Sequence, residues 1–129
     1  MKVVLDTNVI VSSILSSGPP SVVADMVANG KLIPFYNNLI IEEYWNVLHR
    51  PKFNFSKKQI DCLLDSIVKA GVAVEYYTSS TVKLLHEDDR IFYDLAKKSL
   101  AYLITGNIKH YPNESFIISP ANFLKIFIN

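Results

Sequence analysis

A single cysteine, Cys62, means that no disulfide can close within the chain, and a reducing compartment is the expected setting. Cys62 falls in the helical apolar series Ile60, Leu63, Leu64, Ile67 and reads as a quiet helical thiol. No apolar run approaches the ~18 residues of a membrane span. Lys2 before an apolar stretch imitates a signal peptide, but Asp6 and Asn8 interrupt that stretch and no small-residue cleavage site follows. The expected location is therefore cytoplasmic, with no membrane partner. Neither sign of charge dominates: 13 Lys and Arg against 12 Asp and Glu leave a net charge of +1, which excludes a polycation that coats nucleic acid. A local basic rim is still allowed. Missing too are a zinc-spaced His/Cys cluster, a phosphate-cradling glycine loop and a nucleophile elbow.

What is present is apolar. Half the residues are hydrophobic, and the mean hydropathy of +0.20 argues against disorder. With 129 residues and no repeat, low-complexity tract or linker, the expectation is one domain over residues 1–129 with its own core. Lys2–Leu5 is a valine-rich run of the kind covered on both faces of a sheet. Asn8–Leu15 reads as a short helix closed by Ser16-Ser17-Gly18-Pro19-Pro20, and a second helix runs from about Ser21 to Asn29 with Gly30 after it. Leu32–Tyr36 reads as a strand. Asn38 is expected to cap a helix to about His49, stopped by Pro51.

Ser56 and Gln59 form a capping box for a helix reaching Ala70 before Gly71. Val72–Tyr77 is strongly β-forming. Asp88 or Asp89 opens a helix to about Leu100, Tyr102–Ile104 and Phe116–Ile118 read as buried strands, and a last helix follows Pro120. Strands alternating with helices imply a parallel sheet covered on both faces.

The apolar strand at the start ends abruptly on Asp6, and Thr105-Gly106-Asn107 follows another apolar strand. In a parallel sheet both polar groups emerge at one carboxyl edge, where open α/β proteins bind ligands. The plainer reading is a helix cap at Asp6 and a turn at Gly106-Asn107. Helical phase separates Glu43 from Glu42. With Leu39, Ile40, Ile41, Tyr44, Trp45, Val47 and Leu48 as the apolar face, Glu43 lies roughly 100° and Glu42 roughly 160° from its centre. Glu42 therefore points to solvent, and Glu43 sits at a border from which it can lean into a cleft.

In the later helix Ile91, Phe92, Leu95, Ala96 and Leu100 form the buried stripe. Asp94 falls opposite it with Lys97 and Lys98, as a solvated charge. Asp89 lies near the stripe at the helix start; with Asp88 as cap it faces a site, and otherwise both complement the helix dipole. Carboxylates held a few ångströms apart repel unless a cation sits between them. Hard oxygen donors without a His/Cys cluster suit Mg²⁺ or Mn²⁺, which acidify water and neutralise charge on a phosphodiester.

These residues resemble a PIN domain of the kind found as toxins in prokaryotic toxin–antitoxin pairs. The match runs through Val4-Leu5-Asp6-Thr7-Asn8-Val9, Glu43-Tyr44 with Val47-Leu48-His49-Arg50-Pro51-Lys52-Phe53, Glu87-Asp88-Asp89-Arg90-Ile91-Phe92 with Leu95-Ala96, and Tyr102-Leu103-Ile104-Thr105-Gly106-Asn107. The resemblance implies a three-layer α/β/α fold with a central parallel sheet and a Mg²⁺- or Mn²⁺-dependent endoribonuclease activity leaving a 5′-phosphate and a 3′-hydroxyl. It makes Asp6, Glu43 and Asp89 the catalytic metal-binding acids, with Thr7 orienting Asp6, and Asn8 and Thr105 in support. The family often has a fourth acid where this chain has Asn107, an amide that ligates through oxygen without charge. An RNA substrate, a protein antitoxin and a homodimer are the implied partners.

For RNA contact, Arg50, Lys52, Lys57 and Lys58 surround Phe53 and Phe55, a mixture suited to phosphates and bases. The alternative is a solvated loop with two aromatic anchors. Lys109 and His110 follow Asn107 closely enough to meet a phosphate, or His110 is a surface histidine. Two other functions stay open: a PIN-like module that binds RNA or protein without cutting, and a haloacid-dehalogenase-like phosphohydrolase. The latter normally carries a second Asp where this chain has Asn8.

Overall fold

The computed structural model describes residues 1–75 and 78–128. Strand β1 (Lys2–Leu5) is the centre of the sheet, and Val3, Val4 and Leu5 are all buried, as a strand covered on both faces requires. The other strands are β2 (Ile33–Tyr36), β3 (Val72–Ala73), β4 (Tyr102–Ile104) and β5 (Ile117–Ile118). Their order is β3-β2-β1-β4-β5, and every pairing is parallel. The chain lays β2 and β3 on one side of β1, then crosses to place β4 and β5 on the other. The order therefore reverses between β1 and β4, and the crevice at the carboxyl ends of these two strands is the switch point of the sheet.

Six helices flank the sheet: α1 (Thr7–Leu15), α2 (Pro19–Ala28), α3 (Asn38–Leu48), α4 (Lys57–Ala70), α5 (Arg90–Ser99) and α6 (Pro120–Ile128). Helix α5 packs on β1, β2 and β4, whereas α2 packs with α1, α4 and α6. Helix α3 touches α1 and α4 as well as α5, so it joins the two groups. The α/β architecture with an all-parallel sheet agrees with the expectation from the alternating pattern.

Local chemistry explains the boundaries. Helix α2 starts at Pro19, two residues before the expected Ser21, because both prolines fit the first turn, where a missing N–H costs nothing. Asn37, not Asn38, caps α3, its Oδ1 accepting the Ile40 N–H at 2.9 Å. The Ser56–Gln59 capping box is formed in both directions. Between α4 and β3, a Cβ on Gly71 would stand 2.3 Å from Pro34 O, so only glycine lets the helix turn that close to β2. Strand β3 is shorter than Val72–Tyr77; Val74 N–H still reaches Tyr36 O at 2.8 Å, and Tyr76 and Tyr77 lie outside the described residues. Helix α5 ends in a left-handed residue that is not glycine: Leu100 has φ +55° and is 86 % exposed, and Ala101 N–H closes back onto Ala96 O.

Asp94 departs from its expected place. It is buried, and its Oδ2 accepts the Ser80 N–H at 3.0 Å. The segment before α5 folds over the face that helical phase assigned to solvent. Arg90 holds it there, donating to Ser80 O at 2.8 Å, Ser80 Oγ at 3.0 Å and Val82 O at 2.6 Å, while pairing with Glu87. Phase along one helix registers the sheet, but it is blind to a strap laid across the opposite face. Lys97 and Lys98 remain exposed as expected.

Candidate metal and phosphodiester site

Asp6 leaves β1 at the switch point, between the strand and α1, and is buried at 5 % exposure. Its backbone N–H continues the ladder onto Ile104 O at 3.0 Å, so β4 dictates where the carboxylate emerges. The side chain caps no helix. Instead Oδ2 accepts two hydroxyl protons, from Thr105 at 2.8 Å and from Tyr111 at 2.9 Å. The plain helix-cap reading of Asp6 therefore fails.

Thr105 is buried at the end of β4 and donates to Asp6. Its Oγ1 accepts the Asn107 N–H at 3.0 Å and the Asn8 amide at 3.4 Å, so its own proton is directed at Asp6. Asn8 also accepts the Gly106 N–H through Oδ1 at 2.8 Å, and a Cβ on Gly106 would press on that oxygen at 3.2 Å. Thr7 does not hold Asp6. Its hydroxyl points across to Glu43 and donates to Oε2 at 3.4 Å, because a residue on the first turn of α1 faces α3 rather than its own predecessor.

Glu43 is half-buried and Glu42 exposed, the division expected from helical phase. Tyr44 fixes α3 against the strand end: it is buried, and its hydroxyl donates to Leu5 O. Burial first, then the charges of Asp6 and Glu43, push the Tyr44 phenol well above its ordinary value. Both acids therefore act on one ring. Beyond Glu43 a shallow groove of ≈ 250 Å³ runs between α3 and the start of α5, lined among others by Glu42, Glu87 and Asp88.

Asp89 ends a 3₁₀ turn, Glu87–Asp89, and its side chain caps nothing. Its carboxyl is raised above the ordinary range by burial, then by the charge of Asp6, while His110 and His86 oppose the shift. His110 Nδ1 lies 3.5 Å from Asp89 Oδ2, and the His86 and His110 rings are 4.5 Å apart. Asp89 Oδ2 is nonetheless buried with no hydrogen-bond partner. Its nearest cationic group is the His110 ring, and the Asp6 charge acts against it.

Asp6, Glu43 and Asp89 carry oxygen donors, the type that hard divalent ions take. Among the described residues, no group of three or more His, Cys, Asp or Glu side chains stands close enough together to hold a metal ion. Mg²⁺ commonly takes one or two carboxylates and leaves the rest of its shell to water and phosphate. Asn107 is exposed, and its observed role runs through its backbone N–H to Thr105.

Of the expected RNA contacts, only His110 reaches an acid of this site. Lys109 is exposed beside it in the turn Ile108–His110. Arg50 and Lys52 are exposed beyond the end of α3. Nearby, Phe53 and Phe55 stack 5.2 Å apart against the core with Lys52 over Phe53, which favours the reading of aromatic anchors. Tyr111 was not anticipated. No periodic signal marks a tyrosine after a turn, and its partner is 105 residues away.

A parallel α/β sheet with Asp6 at its switch point belongs to the class of open α/β domains that bind ligands at the carboxyl ends of their strands. The chain belongs to the PIN domain family, which it matches over residues 2–109. Members are typically nucleases and typically bind divalent metals. The match takes in all three acids and Asn107 but stops short of His110 and Tyr111. Family membership replaces the haloacid-dehalogenase-like alternative. A curated relative, "Uncharacterized protein MJ1680" of Methanocaldococcus jannaschii, is 28 % identical over 111 residues, covering 83 % of this chain and 71 % of its own length. No solved structure matches the chain. No single helix among the described residues is long and apolar enough to cross a membrane; α1 and α2 pass that test only as a pair, bent by 101°.

Proposed function

We propose that the protein is a Mg²⁺- or Mn²⁺-dependent endoribonuclease, the toxin of a toxin–antitoxin pair acting in the cytoplasm. The observation that carries this reading is the buried Asp89 Oδ2, which accepts no hydrogen bond and meets only His110 at 3.5 Å, under the charge of Asp6 at the switch point, with Glu43 tied to the same corner through Thr7. Asp6, Glu43 and Asp89 would hold the ion, with Asn107 as a weaker ligand. When bound, the ion supplies an acidified water and neutralises charge developing on the phosphodiester. The chain itself supplies the rest. Thr105 and Tyr111 fix the Asp6 carboxylate, Thr7 holds Glu43, and the buried floor of Leu5 and Tyr44 restricts water. His110 and Lys109 stand where a phosphate flanking the scissile bond would pass. A protein antitoxin would inhibit by covering the acidic groove along α3, and two copies would pair as a homodimer.

The test is cleavage of structured RNA with Mn²⁺, Mg²⁺ or EDTA, beside Asp6→Asn. Cation-dependent cutting that the variant loses is expected. Cutting indifferent to EDTA or to the variant would refute the metal site. RNA binding without cutting would favour a non-catalytic module, the reading that Asn107 motivates.

A further inference from the structure

Tyr111 touches the site yet lies beyond the segment shared with the family. The turn Ile108–His110 is closed by His110 N–H to Asn107 O at 2.9 Å and Tyr111 N–H to Ile108 O at 3.1 Å. It therefore presents two consecutive side chains to two acids: His110 to Asp89 and Tyr111 to Asp6. Tyr111 is 7 % exposed, and its hydroxyl lies 2.9 Å from Asp6 Oδ2. A phenol hydroxyl facing a carboxylate oxygen is the donor of the pair. Thr105 acts likewise, its acceptor capacity already taken by Asn107 and Asn8.

Two obligate donors on one carboxylate oxygen do more than neutralise it. Both fall on Oδ2, none of the hydrogen bonds seen among the described residues falls on Oδ1, and the pair fixes the rotation of the carboxylate plane. We infer that Tyr111 is a positioning residue, which with Thr105 clamps Oδ2 so that Asp6 offers a divalent cation a single, pre-oriented oxygen, Oδ1. This rests on the metal-binding reading above. It makes the buried hydroxyl a determinant of metal affinity in a chain that lacks the fourth acid, since one fewer charge leaves more of the binding to geometry.

The experiment measures Mn²⁺ binding to the full chain by calorimetry and by loss of the free-ion electron paramagnetic resonance signal. The proteins are the wild type, Tyr111→Phe, Thr105→Val, Asp6→Asn and Tyr93→Phe. Tyr93 also donates to a carboxylate, that of Glu114, away from the site, and controls for loss of a tyrosine–carboxylate bond as such. Loss of such an outer contact costs about 10–100-fold in metal affinity. The expected result is a loss of about tenfold or more for Tyr111→Phe, with a cation-free melting temperature no lower than that of Tyr93→Phe, whose Mn²⁺ affinity is unchanged. Thr105→Val should show the same loss and carries the test if Tyr111→Phe does not fold. Affinity within twofold of wild type in both clamp variants overturns the inference and leaves the metal site standing. Wild-type protein that binds no Mn²⁺, or binding that Asp6→Asn leaves intact, overturns the metal reading and the inference with it.

Discussion

Replacing Asp89 by asparagine keeps the shape of the side chain and removes one charge, which separates the cost of crowding carboxylates from the gain on binding a cation. The cost is visible in Asp89 itself, whose carboxyl is raised by burial and by Asp6. A group that holds its proton more tightly folded than unfolded lowers stability as pH rises from its unfolded value through its folded one. Below the unfolded value the penalty vanishes, and above the folded value it is complete. At neutral pH in EDTA, Asp89→Asn therefore removes a repulsion. It loses only the His110 contact at 3.5 Å, between groups 37 % and 16 % exposed. Contacts of that kind are worth about 0–1 kcal/mol, so losing this one costs little and the variant is expected to be the more stable protein in EDTA.

For a chain of 129 residues, 1 kcal/mol moves the melting temperature by about 4 °C, and without a cation the variant should melt above wild type. With Mn²⁺ at about 100 times its dissociation constant, the wild type gains about 2.7 kcal/mol, about 10 °C, and the variant far less. The two melting curves should thus exchange order on adding Mn²⁺. Thermal melts at pH 7 with EDTA or Mn²⁺ decide it, repeated at pH 4, where the EDTA difference should shrink. A variant less stable than wild type in EDTA, or one that gains as much from Mn²⁺, would refute the argument that Asp89 is a strained ligand awaiting a cation.

Three further outcomes are expected. Glu43→Gln should lose at least tenfold in metal-dependent RNA cleavage, whereas Glu42→Gln, one residue along the same helix, stays within about threefold; equal losses would remove the distinction drawn from helical phase. Leu100→Gly should raise stability by about 0.5–1 kcal/mol in chemical denaturation, because relief of the left-handed strain outweighs the entropy of an added glycine at so exposed a residue. Arg90→Met should cost about 2–3 kcal/mol and make the segment around Ser80–Val82 the first site of limited proteolysis, since the guanidinium holds it by charge-assisted hydrogen bonds.

Much of the fold could be read from the order of residues because each cue was local. The buried run at β1, the Ser56–Gln59 box and the stop at Gly71 depend on neighbours a few positions away. The same holds for Glu43 over Glu42, since a helix axis converts spacing into direction. Asp94, Thr7 and Tyr111 were misread or missed because their surroundings come from elsewhere in the chain: a strap at Ser80, the opposite helix at Glu43, and Asp6 across the sheet. Periodicity reports which side of an element meets a core. It carries no information on which distant hydroxyl completes a carboxylate.

The crossing from β3 back to β4 also sets a timetable for synthesis. A ribosome that has released the chain only through α5 has delivered Asp6, Glu43 and Asp89 but neither Thr105 nor Tyr111. The central strand then lacks β4, the neighbour whose Ile104 carbonyl takes the Asp6 N–H. Nascent chains would carry the acids without the frame that aims them, so competence would arrive only as the last quarter of the protein emerges. On the proposed function, an N-terminal fragment cut before β4 would lack Thr105 and Tyr111, and with them the hydroxyls that hold Asp6.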